Sequence, residues 1–279
     1  MKSPEQLKGT IRNIAKEKGI HAQELLQLFM FERIIERLSF SYYRQYFILK
    51  GGLLISAMLG VEERTTMDMD TTIKGLPMTE TAIKKILHEI LEQPVNDDIH
   101  FQLTDLSPIR EDDQYVNFRA SLLAIYGKMR IPLKIDITTG DKITPREIQF
   151  SYPFLFENKT VPVMAYPIET ILAEKYETII QRNIENTRAR DFYDLHLLYH
   201  LYEKQADWSI LKQAVISTSQ KRQSEATITN AKAILPLIQE STFLKELWTR
   251  YQAQNTYARN LNYFDIMGTL QSFTAHISL

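Results

Sequence analysis

Every strand-like run in this chain lies in its first half, and from Pro167 onward the pattern is helical. That split constrains the fold more than any other feature. Strand signals cover 46–49, 65–73, 99–103, 116–126 and 133–138. The run 116–126 alternates strictly, with Val116, Phe118, Ala120, Leu122 and Ala124 facing one way, the mark of a half-buried strand. In 133–138, Leu133, Ile135 and Ile137 form a buried face, and Lys134, Asp136 and Thr138 the other. Proline lacks a ladder donor, so this strand is expected to begin after Pro132.

Helices flank these runs. Ser3, Pro4 and Gln6 make a capping-box start for the first, which carries Leu7, Ile11 and Ile14 at helical spacing. The second is expected over 22–38, with Leu25, Phe29, Ile34 and Ile35 inward and Arg33, Glu36 and Arg37 on the wet side. A short apolar helix over 53–59 ends at Gly60, and another covers 84–91. A proline-spaced segment, 153–167, marks the boundary. Beyond it, helices are expected at 167–182, 189–204, 208–217, after Ser224 and at 264–275, with the polar stretch 217–225 as a surface loop. The layout is α+β, a mixed sheet with flanking helices and then an all-helical C-terminal part. The expected domains are 1–160 and 161–279.

Composition excludes several chemistries. Cysteine is absent, which removes disulfides, thiolate metal sites and cysteine nucleophiles. The six histidines lack metal-ligand spacing, which argues against zinc. The net charge of -1 provides no global positive field, so nucleic acid can be met only by a local patch. Arg182, Arg188, Arg190, Lys221 and Arg222 are candidates for one. The first residues lack an apolar signal core, and no run approaches the length of a membrane span. The expectation is a cytoplasmic globular protein without membrane contact.

Acidic residues stand in unusual places. Asp68 and Asp70, two apart in a strand, project from the same face. Two carboxylates that close repel unless a cation lies between them, and Mg²⁺ suits such a pair together with phosphate oxygens. A bare Asp-x-Asp is also common by chance, and a solvated strand edge is the plain alternative. Upstream, Gly51 and Gly52 after a strand allow backbone N–H groups close to a phosphate, or make an ordinary turn. Asp136, on the polar face of its strand, adds a third carboxylate if that strand neighbours Asp68, and otherwise forms an exposed pair with Lys134. In the helical part, Lys175 falls into the apolar line of Ile168, Ile171, Leu172, Tyr176 and Ile179. It either snorkels or meets a negative partner. Asp191 and Asp194 border the apolar side of the next helix, where they also suit its N-terminal dipole. Tyr193 and His196 read as partly buried groups without a special role.

Taken in order, Lys50-Gly51-Gly52, the segment from Arg64 through Thr66 to Asp68 and Asp70, Lys134-Ile135-Asp136-Ile137, Glu174-Lys175 and Arg190-Asp191-Phe192-Tyr193-Asp194 resemble the motifs of the AbiEii/AbiGii nucleotidyltransferase toxins of abortive-infection toxin–antitoxin systems. The resemblance spans 50–194. It departs from the wider superfamily in having Gly51-Gly52 where Gly-Ser is usual, and a longer interval from Gly52 to Asp68. It implies a nucleotidyltransferase-like mixed sheet and Mg²⁺-dependent transfer of NMP from an NTP. Asp68, Asp70 and Asp136 are the implied metal ligands. Lys50, Gly51, Gly52, Arg64, Thr66, Arg190 and Asp194 are the implied nucleotide contacts. Lys175 would neutralise triphosphate charge, and Asp191 would orient Lys175 or act as base. The implied acceptor is RNA, notably the tRNA 3′ end, and the implied partner is an antitoxin that need not touch the toxin. A nucleotide-binding module without transfer, or transfer to a small molecule or protein, fits the same residues. Since Asp70 and Lys175 sit poorly on their faces, alanine at either is expected to end transfer with little change in melting.

Overall fold

The protein, a computed structural model, is described over residues 3–109 and 117–278. It divides into two compact units, Met1–Asp141 with Ile148–Ala165, and Lys142–Glu147 with Tyr166–Leu279.

The first unit is built on one mixed sheet. In chain order its elements are α1 (Pro4–Lys18), α2 (Ala22–Phe40), β1 (Phe47–Lys50), α3 (Gly51–Leu59), β2 (Met69–Ile73), α4 (Glu80–Leu91), β3 (His100–Pro108), β4 (Phe118–Tyr126), β5 (Met129–Thr139), β6 (Ile148–Pro153) and β7 (Thr160–Ala165). Among the described residues, seven strands lie in the order β3-β4-β5-β2-β1-β7-β6. β2 runs parallel to β5, and β1 parallel to β7; the other neighbours are antiparallel. α2 lies against β5, β7 and α4. The Ser3–Gln6 capping box is formed, and Gly60 stops α3 in a positive-φ conformation.

Several expectations need correction here. The strand expected over 65–73 begins only at Met69, so Asp68 stands just before it. Val116 lies outside the described residues. β5 runs straight through Pro132, which pairs with Leu123. The neighbour on the other side, β2, joins β5 only from Ile135 onward, so Pro132 sits where that edge has no strand to receive an N–H. Its carbonyl accepts from Gln27 Nε2 at 3.0 Å. Within the segment 153–167, β7 pairs with both β1 and β6.

The charged stripe of α2 is buried, contrary to expectation. Arg37 grips Asp97 with two nitrogens at 2.5 and 2.7 Å, and also donates to the Leu91 and Ile99 carbonyls. Arg33 pairs with Glu36 and Glu157 and lies over the Phe29 and Phe154 rings. These arginines serve to close the packing of α2 against the loops around it, which a helical wheel alone does not reveal.

Glu32, next to them, accepts from the Leu155 N–H at 2.6 Å, while its other oxygen is buried without a hydrogen bond. Burial pushes this carboxyl up to about 8. The fold therefore keeps a proton that the unfolded chain releases above about 4.5, and stability falls as pH rises from there to about 8. Glu32→Gln is expected to match wild type near pH 4 and exceed it at pH 8 by roughly 3–5 kcal/mol. Chemical denaturation across that range checks this; a pH-independent difference would refute it.

The second unit is helical: α5 (Ile168–Arg182), α6 (Ala189–Tyr202), α7 (Trp208–Arg222), α8 (Glu225–Thr229), α9 (Ala231–Glu240), α10 (Thr242–Gln254) and α11 (Tyr263–Ile277). α5 packs on α6 and α7, and α11 on α6, α7 and α9. Tyr193 and His196 are both buried, and His196 and His200 share the Thr269 hydroxyl. The surface loop expected over 217–225 is a correction. α7 continues to Arg222 with Thr218 and Ser219 buried. The polar residues there serve a buried acid: Glu177 accepts from Arg222 at 2.5 Å and from Ser224 at 2.8 Å. Arg222, also near Glu174 at 3.5 Å, is thus held within the unit and is a poor member of any basic patch. Among the described residues, no helix is long and apolar enough to cross a membrane.

Candidate active site

Strand register brings four charged residues of the first unit to one level. Lys50 on β1 stands opposite Asp70 on β2, Asp70 opposite Asp136 on β5, and Asp136 opposite Arg119 on β4. Directly paired residues share a face and neighbouring strands are about 4.8 Å apart. The row therefore reads cation, carboxylate, carboxylate, cation. Met69, Thr71, Ile135 and Ile137 turn to the buried side.

The ends of the row are tied. Lys50 Nζ meets Asp141 Oδ2 at 2.5 Å and donates to the Thr138 hydroxyl at 2.7 Å. Arg119 grips Asp136 bidentately, Nε to Oδ1 and one terminal nitrogen to Oδ2, both at 2.8 Å. The Asp136 hydrogen bond first, then its charge and those of Asp68 and Asp70, raise the Arg119 pKa further above its ordinary value.

The glycine pair begins α3 itself instead of forming a separate turn. Gly51 has φ +65, and a Cβ built there would overlap the Asp70 carboxylate. Only glycine permits both the left-handed backbone and that approach. A Cβ on Gly52 would lie 2.7 Å from Thr66 Oγ1 and 3.1 Å from an Arg64 nitrogen. Arg64 is buried and donates to the Thr65 carbonyl. Thr66 Oγ1 bonds the Asp68 backbone, bracing the approach to β2. The α3 N-cap residue, Lys50, makes no side-chain capping bond, and the Asp70 carboxylate lies beside the first turn of α3, whose N–H groups and positive dipole end suit an anion.

Mg²⁺ needs one or two carboxylates and completes its shell with water and phosphate oxygens. Exposed Asp68 and half-buried Asp70, with the N-terminus of α3 for the phosphates, fit that demand. Asp136 does not stand open as a third ligand, since both its oxygens are taken by Arg119. Among the described residues, no group of three acidic or histidine side chains converges closely enough to hold an ion.

In the second unit, Lys175 on α5 bridges both aspartates of α6, at 2.6 Å to Asp191 and 2.8 Å to Asp194. The acids are 2% and 0% exposed at the side chain, and Lys175 is the counter-charge they share. Arg188 Nε lies 2.9 Å from the other Asp191 oxygen, an ion pair without hydrogen-bond alignment. Arg190 is exposed on the first turn of α6, and Arg182 is exposed at the end of α5. The expectation that Lys175→Ala leaves melting nearly unchanged fails on this geometry.

Arg119, Thr138 and Asp141 are members of the first unit's cluster that motif reading missed. The family model described as nucleotidyl transferase AbiEii toxin, type IV toxin–antitoxin system, matches residues 33–269. No curated protein sequence matches. A Helicobacter pylori protein described as a candidate nucleotidyltransferase superposes with a TM-score of 0.54 at 15% identity, over 93% of this chain and 95% of that one. JHP933 from Helicobacter pylori gives 0.52 at 16% identity, over 92% and 90%. At such identity these two likenesses are of fold.

Proposed function

The chain belongs to the AbiEii nucleotidyl transferase toxin family of type IV toxin–antitoxin systems, and from that premise we propose that it transfers a nucleoside monophosphate from an NTP to an RNA 3′ end, tRNA foremost. The observation that carries this reading is the Asp70 carboxylate seated against Gly51 at the N-terminus of α3. A metal-binding acid and a phosphate-binding helix end are thereby parts of one small feature.

Asp68 and Asp70 would hold Mg²⁺, which would supply Lewis-acid polarisation of the phosphate oxygens. Gly51 and Gly52 let the first-turn N–H groups reach the β- and γ-phosphates, and Lys50, Arg64 and Thr66 line their approach. Asp136, once released by Arg119, would join the metal site and take the proton of the acceptor hydroxyl that it polarises. The hydroxyl oxygen bonds to the α-phosphorus, the bridge to the β-phosphate breaks, and pyrophosphate leaves with that electron pair. In the second unit, Lys175, held by Asp191 and Asp194, and exposed Arg190 are the cations on offer for phosphate charge. The protein's share is positioning and charge neutralisation. Used in the cytoplasm, the reaction stops growth by disabling translation within an abortive-infection defence, and an antitoxin answers it without needing to touch the toxin.

Incubation with α-labelled NTPs, Mg²⁺ and total bacterial RNA, resolved on denaturing gels, tests this. The expected result is label on small RNA that is lost with EDTA. Label confined to the protein would indicate self-modification. Absence of label from all four nucleotides would overturn transfer in favour of a nucleotide-binding module.

A further inference from the structure

Resting on the reading just given, we propose that Arg119 is a resident counter-cation of the acidic row: it closes Asp136 and must release it before a divalent ion can use that carboxylate. Like charges directly opposite one another on neighbouring strands are destabilising, yet Asp70 and Asp136 are paired in register. Arg119 stands on the next strand, directly across from Asp136. Its fork uses both Asp136 oxygens at 2.8 Å, the same oxygens a metal ion would need. The guanidinium therefore does the electrostatic work of a cation while denying the site to one.

Exposure makes the arrangement reversible. The Arg119 side chain is 46% exposed and that of Asp136 20%. A bidentate pair is stronger than an ordinary surface ion pair, but solvent reaches the guanidinium, so a doubly charged ion arriving with a triphosphate can compete for the same two oxygens. The contrast with Lys175 is instructive, because its two aspartates are buried and that cation has no cheap exchange. A released guanidinium also suits a phosphate, whose oxygens match its planar fork. Arg119 is thus a positioning residue that sets when the acidic row becomes a metal site.

The test is Mn²⁺ binding followed by electron paramagnetic resonance, without nucleotide, on the full chain. Arg119→Gln is expected to bind Mn²⁺ about tenfold more tightly than wild type, since one competing charge is gone. Arg119→Lys, which keeps the charge but cannot occupy both oxygens, should fall between wild type and Arg119→Gln. The gain should vanish in Arg119→Gln/Asp136→Asn. Equal Mn²⁺ affinity in wild type and Arg119→Gln, or a gain that survives loss of Asp136, would overturn the proposal. Unchanged thermal melts show that each variant is folded. If wild type labels RNA while Arg119→Gln shows no gain, this inference falls and the transfer reading stands. If wild type neither labels RNA nor binds Mn²⁺ in any variant, both fall.

Discussion

Replacing Lys175 with methionine is expected to end nucleotide transfer and to destabilise the helical unit by about 3–5 kcal/mol. The ammonium is the counter-charge shared by Asp191 and Asp194, which are buried at 2% and 0% side-chain exposure. Methionine matches the aliphatic stem and removes only the charge, leaving two carboxylates facing each other away from water. Arg188 cannot replace it, since its half-exposed side chain reaches only Asp191, and without hydrogen-bond alignment. Stability and function separate in a second variant. Lys175→Met combined with Asp191→Asn and Asp194→Asn removes the repulsion, and should recover most of the lost denaturation midpoint. Transfer should stay absent, because the cation is still missing. Recovery of transfer along with stability would make Lys175 a purely structural residue. A single Lys175→Met variant with wild-type melting would show that the two aspartates do not depend on it.

How much of this was legible beforehand varies from element to element, for physical reasons. Motifs built from consecutive residues were readable: Gly51 and Gly52, the Asp68–Asp70 pair, and Lys175 out of place on an apolar stripe. The mixed sheet followed by helices was readable too, since alternation and helical spacing are local signals. Pairing between strands was not read, though a signal existed. Gly127-Lys128 is a two-residue turn joining β4 to β5, with Tyr126 opposite Met129. Such a turn fixes register. Counting back from it on both strands brings Arg119 opposite Asp136, as observed. The buried arginines of α2 were hidden because their partners, Asp97 and Glu157, are distant in sequence. A charged residue reads as solvated until its partner is found. The same holds for Ser224 and Arg222 in 217–225, which are held by the buried Glu177, while Gln220, Gln223 and Glu225 stay exposed. Pro132 misled because the ban on proline applies to the interior of a sheet, and β5 is uncovered on one side at that point.

Asp70→Asn should leave the fold intact and reduce RNA labelling by about a thousandfold or more, the scale on which removal of transition-state charge stabilisation is felt. Asparagine keeps the size of the side chain and its place beside Gly51, so only the charge is lost. Melting should change little, because relief of the repulsion from Asp136 is offset by loss of the charge opposite Lys50 and beside the α3 N-terminus. Gly51→Ala attacks the same feature from the backbone side. The new methyl group must displace the Asp70 carboxylate, and alanine must adopt a φ of +65, a strain of about 1 kcal/mol before any clash is counted. A displaced ligand costs catalysis steeply, and a hundredfold loss is expected for a shift of about 1 Å. Gly52→Ala makes the informative comparison. Its methyl would press on the Thr66 hydroxyl and the Arg64 side chain and not on Asp70, so its labelling defect should be the milder one. If Gly52→Ala proves as damaging as Gly51→Ala while Asp70→Asn still labels RNA, the helix end matters only as a phosphate cradle. The metal-binding role would then have to pass from Asp70 to another acid.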